Sequence, residues 1–212
     1  FMAVEFSSDY TQVVDDETKM PGAKWFKGVQ FNFAENLLRF RSDKPAIHFK
    51  GEGQPVRTFT YNKLFAEVEK LTTALRRMGI QKGDRVAGFM PNMPETIIAM
   101  LATTSIGAIW SSSSPDFGIK GVLDRFTQIE PKVLFAANGY FYNGKPFHSL
   151  EKLNSILDQL PSVKQVVVTP YTGTHPYISS VKNGILWNDF LHMNPTAIEF
   201  EQIPFELPLY IM

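Results

Sequence analysis

The segment Gly139-Tyr-Phe-Tyr-Asn-Gly144-Lys145 has the G-x-x-x-x-G-K spacing of a loop that wraps phosphate groups with backbone N–H donors and closes on them with a lysine. The residue after it argues against that chemistry. A phosphate loop needs Ser or Thr there to hold magnesium, and a helix that starts there and aims its N-terminus at the phosphates. Here Pro146 follows, and Tyr140, Phe141 and Tyr142 crowd the turn. What is left is Lys145 beside a turn glycine, a single anion contact. The run Ser111 to Ser114 offers hydroxyl nucleophiles, yet no G-x-S-x-G elbow surrounds it and no ordered acid and histidine partners follow. A polar loop at the C-terminal edge of a strand is the simpler reading, and open α/β sheets bind ligands at that edge. His48, His148, His175 and His192 fall in separate predicted elements without metal-ligand spacing, and no G-x-G-x-x-G supports a nicotinamide cofactor. The residues themselves therefore name no catalytic group and no metal ligand.

The elements that would carry these segments are built around Gly79 to Gly118. Gly79 ends a helix, Lys82-Gly83-Asp84 turns into a strand over Arg85 to Met90, and Pro91-Asn92 breaks that strand. Asn92 is expected to cap the helix Met93 to Ile106, with Glu95 completing a capping box and Pro94 in the first turn. A strand over Ala108 to Ser111 then completes a β-α-β unit, for which a right-handed crossover is expected. Upstream, Ala46–Lys50 and Val56–Thr60 flank Gly51-Glu52-Gly53 as a hairpin. Thr60 caps a helix over Tyr61 to Met78, in which Leu64, Val68, Leu71, Leu75 and Met78 recur at steps of four and three. Downstream, Asp116 is expected to cap a helix carrying Ile119, Val122, Phe126 and Ile129 that Pro131 stops. Lys132 to Ala137 is a strand, Ser149 caps a further helix, and Val163 to Thr169 is a strand. Beyond Pro170 the alternation fails; Trp187 to His192 reads as a short helix and Leu207 to Met212 as the start of a strand. The pattern predicts a doubly wound, mostly parallel Rossmann-like sheet flanked by helices. Residues 1–24 are polar and read as loosely held. Trp25 to Phe40 is rich in aromatic and aliphatic residues and is expected to dock, with a helical turn or two from Phe33 to Leu38. The chain divides into a tail and docking segment, 1–44, and an incomplete α/β subdomain, 45–212.

Composition narrows the partners. The 212 residues are 44% hydrophobic, enough for a sizeable core, and 21 Lys plus Arg balance 21 Asp plus Glu. No net field favours nucleic acid or an anionic membrane surface. With no cysteine and no apolar run long enough to span a bilayer, a cytoplasmic protein is the simplest expectation. The opening Phe1-Met2 and the bare apolar close at Met212 read as a piece of a longer protein.

Several stretches together resemble the N-terminal part of the adenylate-forming acyl- and aryl-CoA synthetase superfamily. They are Phe59-Thr-Tyr61 with Leu64, Leu75-Arg-Arg-Met-Gly79, Lys82-Gly-Asp-Arg-Val86, Pro91-Asn92 with Pro94-Glu95, and Gly107-Ala108. Trp25-Phe26-Lys-Gly28 with Asn32 is similar to the opening of the short-chain members. Ile109 to Gly118 is similar to the acetoacetate-activating branch, and lacks the Phe-Gly-Gly-Phe version found in acetate-activating members. The resemblance, which covers about 25–212, implies a parent ligase that joins acetoacetate to ATP with Mg2+, releases pyrophosphate, and passes the acyl group to CoA. It also implies that the family's S-S-G-T-T-G-x-P-K phosphate loop follows a strand like Pro208 to Met212, so the piece alone is expected to be inactive. Ungapped placement implies that Tyr142, Asn143, Gly144 and Lys145 occupy the R-x-G-[RK] segment that binds the CoA nucleotide. Tyr142 stands there in place of arginine and offers a ring to adenine, while Lys145 keeps a charge. Ser114, Pro115, Asp116 and Phe117 fall in a second CoA-contact region, with altered residues. The implied partners are these small molecules and the remainder of the same chain. A synthetase for another short acid and a catalytically silent partner-binding module are the alternatives.

Overall fold

The computed structural model describes residues 3–174, 176–192 and 194–212, so the readings made for Phe1, Met2 and His175 lie outside the described residues. At the N-terminus, β1 (Gln12–Val14) pairs antiparallel with β2 (Trp25–Lys27). The polar opening is therefore tied down rather than loose. Ser7 and Ser8 donate their N–H groups to the Gln30 carbonyl at 2.8 and 3.3 Å, and Asp15 Oδ1 accepts from the N–H groups of Asp16 and Lys24, each at 2.8 Å. Bonds of this kind order a segment that has little apolar surface, and composition does not report them. The Lys24 N–H, and then the Lys19 side chain, hold the Asp15 carboxyl below its ordinary range.

β3 (Gln30–Phe31) leads into α1 (Phe33–Leu38), and Val29, Ala34 and Leu38 are buried as the docking expectation requires. β4 (Pro45–Phe49) and β5 (Arg57–Thr60) form the expected antiparallel hairpin. Thr60 Oγ1 then accepts from Lys63 N at 3.1 Å and starts α2 (Tyr61–Arg77), whose Leu64, Val68, Leu71 and Leu75 are all buried.

From here strands and helices alternate: β6 (Arg85–Phe89), α3 (Pro94–Ser105), β7 (Ile109–Ser113), α4 (Ile119–Ile129) and β8 (Val133–Ala137). A hairpin of β9 (Gly139–Tyr142) and β10 (Lys145–His148) interrupts before α5 (Leu150–Leu157) and β11 (Gln165–Thr169). The chain closes with β12 (Gly184–Leu186), α6 (Trp187–Phe190), β13 (Ile203–Pro204), which pairs with β3, and β14 (Tyr210–Ile211). Six strands form one parallel sheet in the order β12-β11-β8-β6-β7-β14. Side chains on each strand alternate between its faces. Val86, Phe135 and Val167 join one core with α2 and α3, whereas Ala87, Leu134 and Val166 join a second with α4 and α5. Two covered faces explain why these strands read as continuous apolar runs, and the doubly wound fold is as expected.

Several local expectations need correction. A residue before proline is pushed to extended backbone, so Met93 (φ −138°, ψ 163°) takes the N-cap position of α3 and Asn92 caps nothing. Glu95 turns instead to Arg57 on β5, with which it forms a bidentate ion pair. The strand expected to end at Ser111 continues through Ser112 and Ser113, which pair in register with Gly88 and Phe89 in β7 rather than forming a loop. Gly118, not Asp116, occupies the N-cap position of α4, and Ser149 sits at the N-cap position of α5 without a side-chain capping bond. β12 extends the sheet where the alternation fails in sequence, because a three-residue strand carries too little pattern to be seen. At the opposite edge, burial pushes the Tyr210 hydroxyl up to about 12, and it donates to Met100 Sδ at 3.1 Å.

Candidate functional site

The two segments singled out by sequence both lie at the C-terminal edge of the parallel sheet, one following β7 and the other following β8, with β6 between those strands. Gly139 to Lys145 is a β-hairpin, and a strand rather than a helix begins at Lys145. Asn143 and Gly144 form its two-residue turn with φ of 50° and 75°. Such a turn demands left-handed backbone at both central positions, which Asn-Gly tolerates best. That dipeptide is the signal that a search for phosphate loops passes over. Tyr142 and Lys145 face each other as a cross-strand pair at the tip, and the Tyr142 ring is 68% exposed.

The root and tip of the hairpin are both fixed. Asn138 Oδ1 accepts from Tyr171 N at 2.6 Å and Thr172 N at 3.1 Å, joining the root to the turn after β11. Tyr140 and Phe147 stack at 5.2 Å, Phe141 meets Tyr171 edge-on at 5.8 Å, and Gly144 donates its N–H to the Glu52 carboxylate at the tip. A Cβ on Gly139 would lie 2.5 Å from Thr172 Oγ1 and closer still to the Phe147 carbonyl oxygen, so the backbones meet there with no room for a side chain. We therefore expect Gly139→Ala to destabilise the chain by about 2–4 kcal/mol, read from denaturant midpoints, because the obstacle is backbone that cannot swing aside. A loss below 0.5 kcal/mol would show that the hairpin root yields.

In the loop after β7, Pro115 is buried and Ser114, Asp116 and Phe117 are exposed. Phe117 N bonds the Ser114 carbonyl at 3.2 Å, and the Arg125 guanidinium lies 5.0 Å from the Phe117 ring centroid. Lys152 on α5, two residues into the helix that follows the hairpin, donates from Nζ to the Pro115 carbonyl at 2.9 Å and the Phe117 carbonyl at 3.1 Å. The helix that follows one segment thus grips the other.

Beside the hairpin lies a cavity of about 680 Å³ whose walls include Phe141, Tyr171, Trp187 and the Arg57–Glu95 pair. Thr169 Oγ1, on its wall, is buried and has no hydrogen-bond partner. Among the described residues no group of three or more His, Cys, Asp or Glu side chains is placed to hold a metal ion, and no helix is long and apolar enough to cross a membrane. His48, His148 and His192 are exposed, and His48 Nδ1 shares a hydrogen bond with Thr58. Sequence reasoning missed Asn138, Lys152 and the Arg57–Glu95 pair. Their partners lie 33 to 38 residues away, so no local spacing announces them.

An exposed aromatic ring and an ammonium on a braced hairpin thus stand next to a braced loop at the edge of the parallel sheet where open α/β folds bind ligands. The family model described as "AMP-binding enzyme" matches residues 33–192, and the chain belongs to the AMP-binding enzyme family. More particularly, it is similar to an acetoacetyl-CoA synthetase of Macaca fascicularis, 44% identical over all of this chain and 33% of the relative. It is 45% identical to an acetoacetyl-coenzyme A synthetase of Rhizobium meliloti over 93% of this chain and 30% of the relative. The solved structure of an acetoacetyl-CoA synthetase from Streptomyces lividans superposes with a TM-score of 0.90 at 37% identity, over 99% of this chain and 32% of the other. The chain thus spans about a third of the length of the curated relatives it matches.

Proposed function

We propose that the whole protein is an ATP-dependent acid–thiol ligase that converts acetoacetate to acetoacetyl-CoA. In this reading residues 1–44 are a docking segment, and 45–212 belong to the first subdomain of the larger catalytic domain. The observation that carries the reading is the 44% identity, spread over the full chain, to a protein named for that reaction. When bound, ATP activates the carboxylate and CoA supplies the thiol that takes the acyl group. The part of these 212 residues is to hold CoA. Lys145 sets a positive charge against a phosphate, Tyr142 offers its ring to adenine, and Asn143 and Gly144 shape the turn between them. Ser114, Pro115, Asp116 and Phe117 form the second contact. The donor set fits, because Tyr142 and Lys145 stand exposed and Lys145 has no ion-pair partner among the described residues. Magnesium belongs to the proposal for the whole protein as a partner of ATP, and no role in holding it is assigned to these residues. A cytoplasmic location goes with the proposal, since ATP and CoA are intracellular metabolites.

Lys145→Ala in the whole protein is expected to weaken CoA binding about two- to fivefold, the worth of one exposed charge, as measured by calorimetry. Tyr142→Ala should weaken it further through lost stacking. Unchanged affinity in both variants would make the hairpin tip scaffold only.

A further inference from the structure

A lysine seldom spends its ammonium group on two carbonyls of a distant loop without fixing that loop's shape. Lys152 Nζ does so across 37 and 35 residues of sequence, and also lies 5.9 Å from the centroid of the Phe89 ring. The trans peptide is planar, with its C=O and N–H pointing opposite ways. Turning the Pro115 and Phe117 carbonyls toward Lys152 therefore turns the N–H groups of Asp116 and Gly118 away from it. Neither N–H donates to any described residue, whereas the N–H between them, on Phe117, is used internally to close the turn on Ser114. The loop thus presents two free backbone donors on its outer side, and their direction is set by a side chain that lies behind it. Without the ammonium, two carbonyls lose charged donors worth more than ordinary ones, and both peptide planes are free to rotate.

We infer that Lys152 is a positioning residue for CoA: it holds the Ser114–Phe117 loop so that the Asp116 and Gly118 N–H groups face the oxygen atoms of the coenzyme. The inference rests on the assignment of that loop to CoA contact. It predicts a defect confined to the half-reaction that uses CoA. In the whole protein, Lys152→Met should raise the KM for CoA roughly tenfold, the cost of losing two charge-assisted hydrogen bonds that hold the site. Acetoacetate-dependent exchange of pyrophosphate into ATP should stay within about twofold, since that step does not involve CoA. Lys152→Arg, which keeps charge and donors, should recover most of the loss, and Lys152→Gln should behave like the methionine variant. Phe117→Ala, within the loop itself, separates the two claims. If Phe117→Ala raises the KM for CoA and Lys152→Met does not, the positioning role is wrong and the loop assignment stands. If neither variant moves it, the loop does not touch CoA and both fall. If Lys152→Met depresses pyrophosphate exchange as much as thioester formation, Lys152 supports the fold at large and the positioning role is overturned.

Discussion

Asn32→Ala is expected to lower the stability of this chain by about 2–4 kcal/mol, a large part of the total for a natural domain. Asn32 is fully buried. Its Oδ1 accepts from Glu35 N at 3.1 Å and caps α1, while Nδ2 donates to the carbonyls of Thr104 at 3.1 Å, Ser105 at 3.2 Å and Glu201 at 2.8 Å. One amide thus joins the start of α1, the end of α3 and the strand-like approach to β13. Thr104 O still accepts from Gly107 N at 3.1 Å and Ser105 O from Glu201 N at 2.9 Å, so removing the amide strips the Glu201 carbonyl of its donor, at about 1–3 kcal/mol for one unsatisfied group, and removes a cap worth about 1 kcal/mol. Asn32→Asp is the sharper variant. The carboxylate keeps the capping oxygen but sets an acceptor against three acceptors, so at neutral pH it should destabilise at least as much as alanine. Denaturant midpoints at unchanged slope measure both. An aspartate variant within 1 kcal/mol of wild type would mean that the amide donors contribute little.

Asn32 also marks where the sequence stops being informative. Its position before Phe33 is visible as a helix start, but its three carbonyl partners lie 72, 73 and 169 residues away. The parallel sheet was legible because Val86, Leu134 and Val167 sit in apolar runs broken by turn residues, and α2 because its leucines keep helical spacing. Both signals are local. Errors fell where two local rules competed: the bias that Pro94 imposes on Met93 overrode the capping potential of Asn92, and sheet pairing drew Ser112 and Ser113 into β7. Of the site, Lys145 could be found by type and spacing, Tyr142 came only from the family resemblance, and Asn143-Gly144 carried a hairpin signal. Asn138, Glu52 and Lys152, which hold those segments in place, could not, since each acts on a backbone distant in sequence.

The second large effect concerns chemistry. A polypeptide of residues 1–212 alone is expected to show no acetoacetate-dependent pyrophosphate exchange, a loss of all measurable activity relative to the whole protein. Acid activation relies on donors and charge placed around the transferring groups. Among the described residues no acidic cluster is placed for magnesium, the G-x-x-x-x-G-K match folds into a hairpin, and the buried Ser111 and Ser113 have no acid–histidine pair beside them. The part proposed for these residues is to bind the coenzyme, and a surface that binds substrate and transition state alike does not accelerate the reaction.

The account's central claim, that these residues belong to an acetoacetate-activating ligase and do not by themselves activate the acid, is tested most directly by isotope exchange between pyrophosphate and ATP, run on the whole protein and on residues 1–212 side by side. The account predicts exchange by the whole protein that depends on acetoacetate and exceeds that with acetate, and none from residues 1–212. No exchange by the whole protein, a preference for another acid, or exchange by residues 1–212 alone would contradict it.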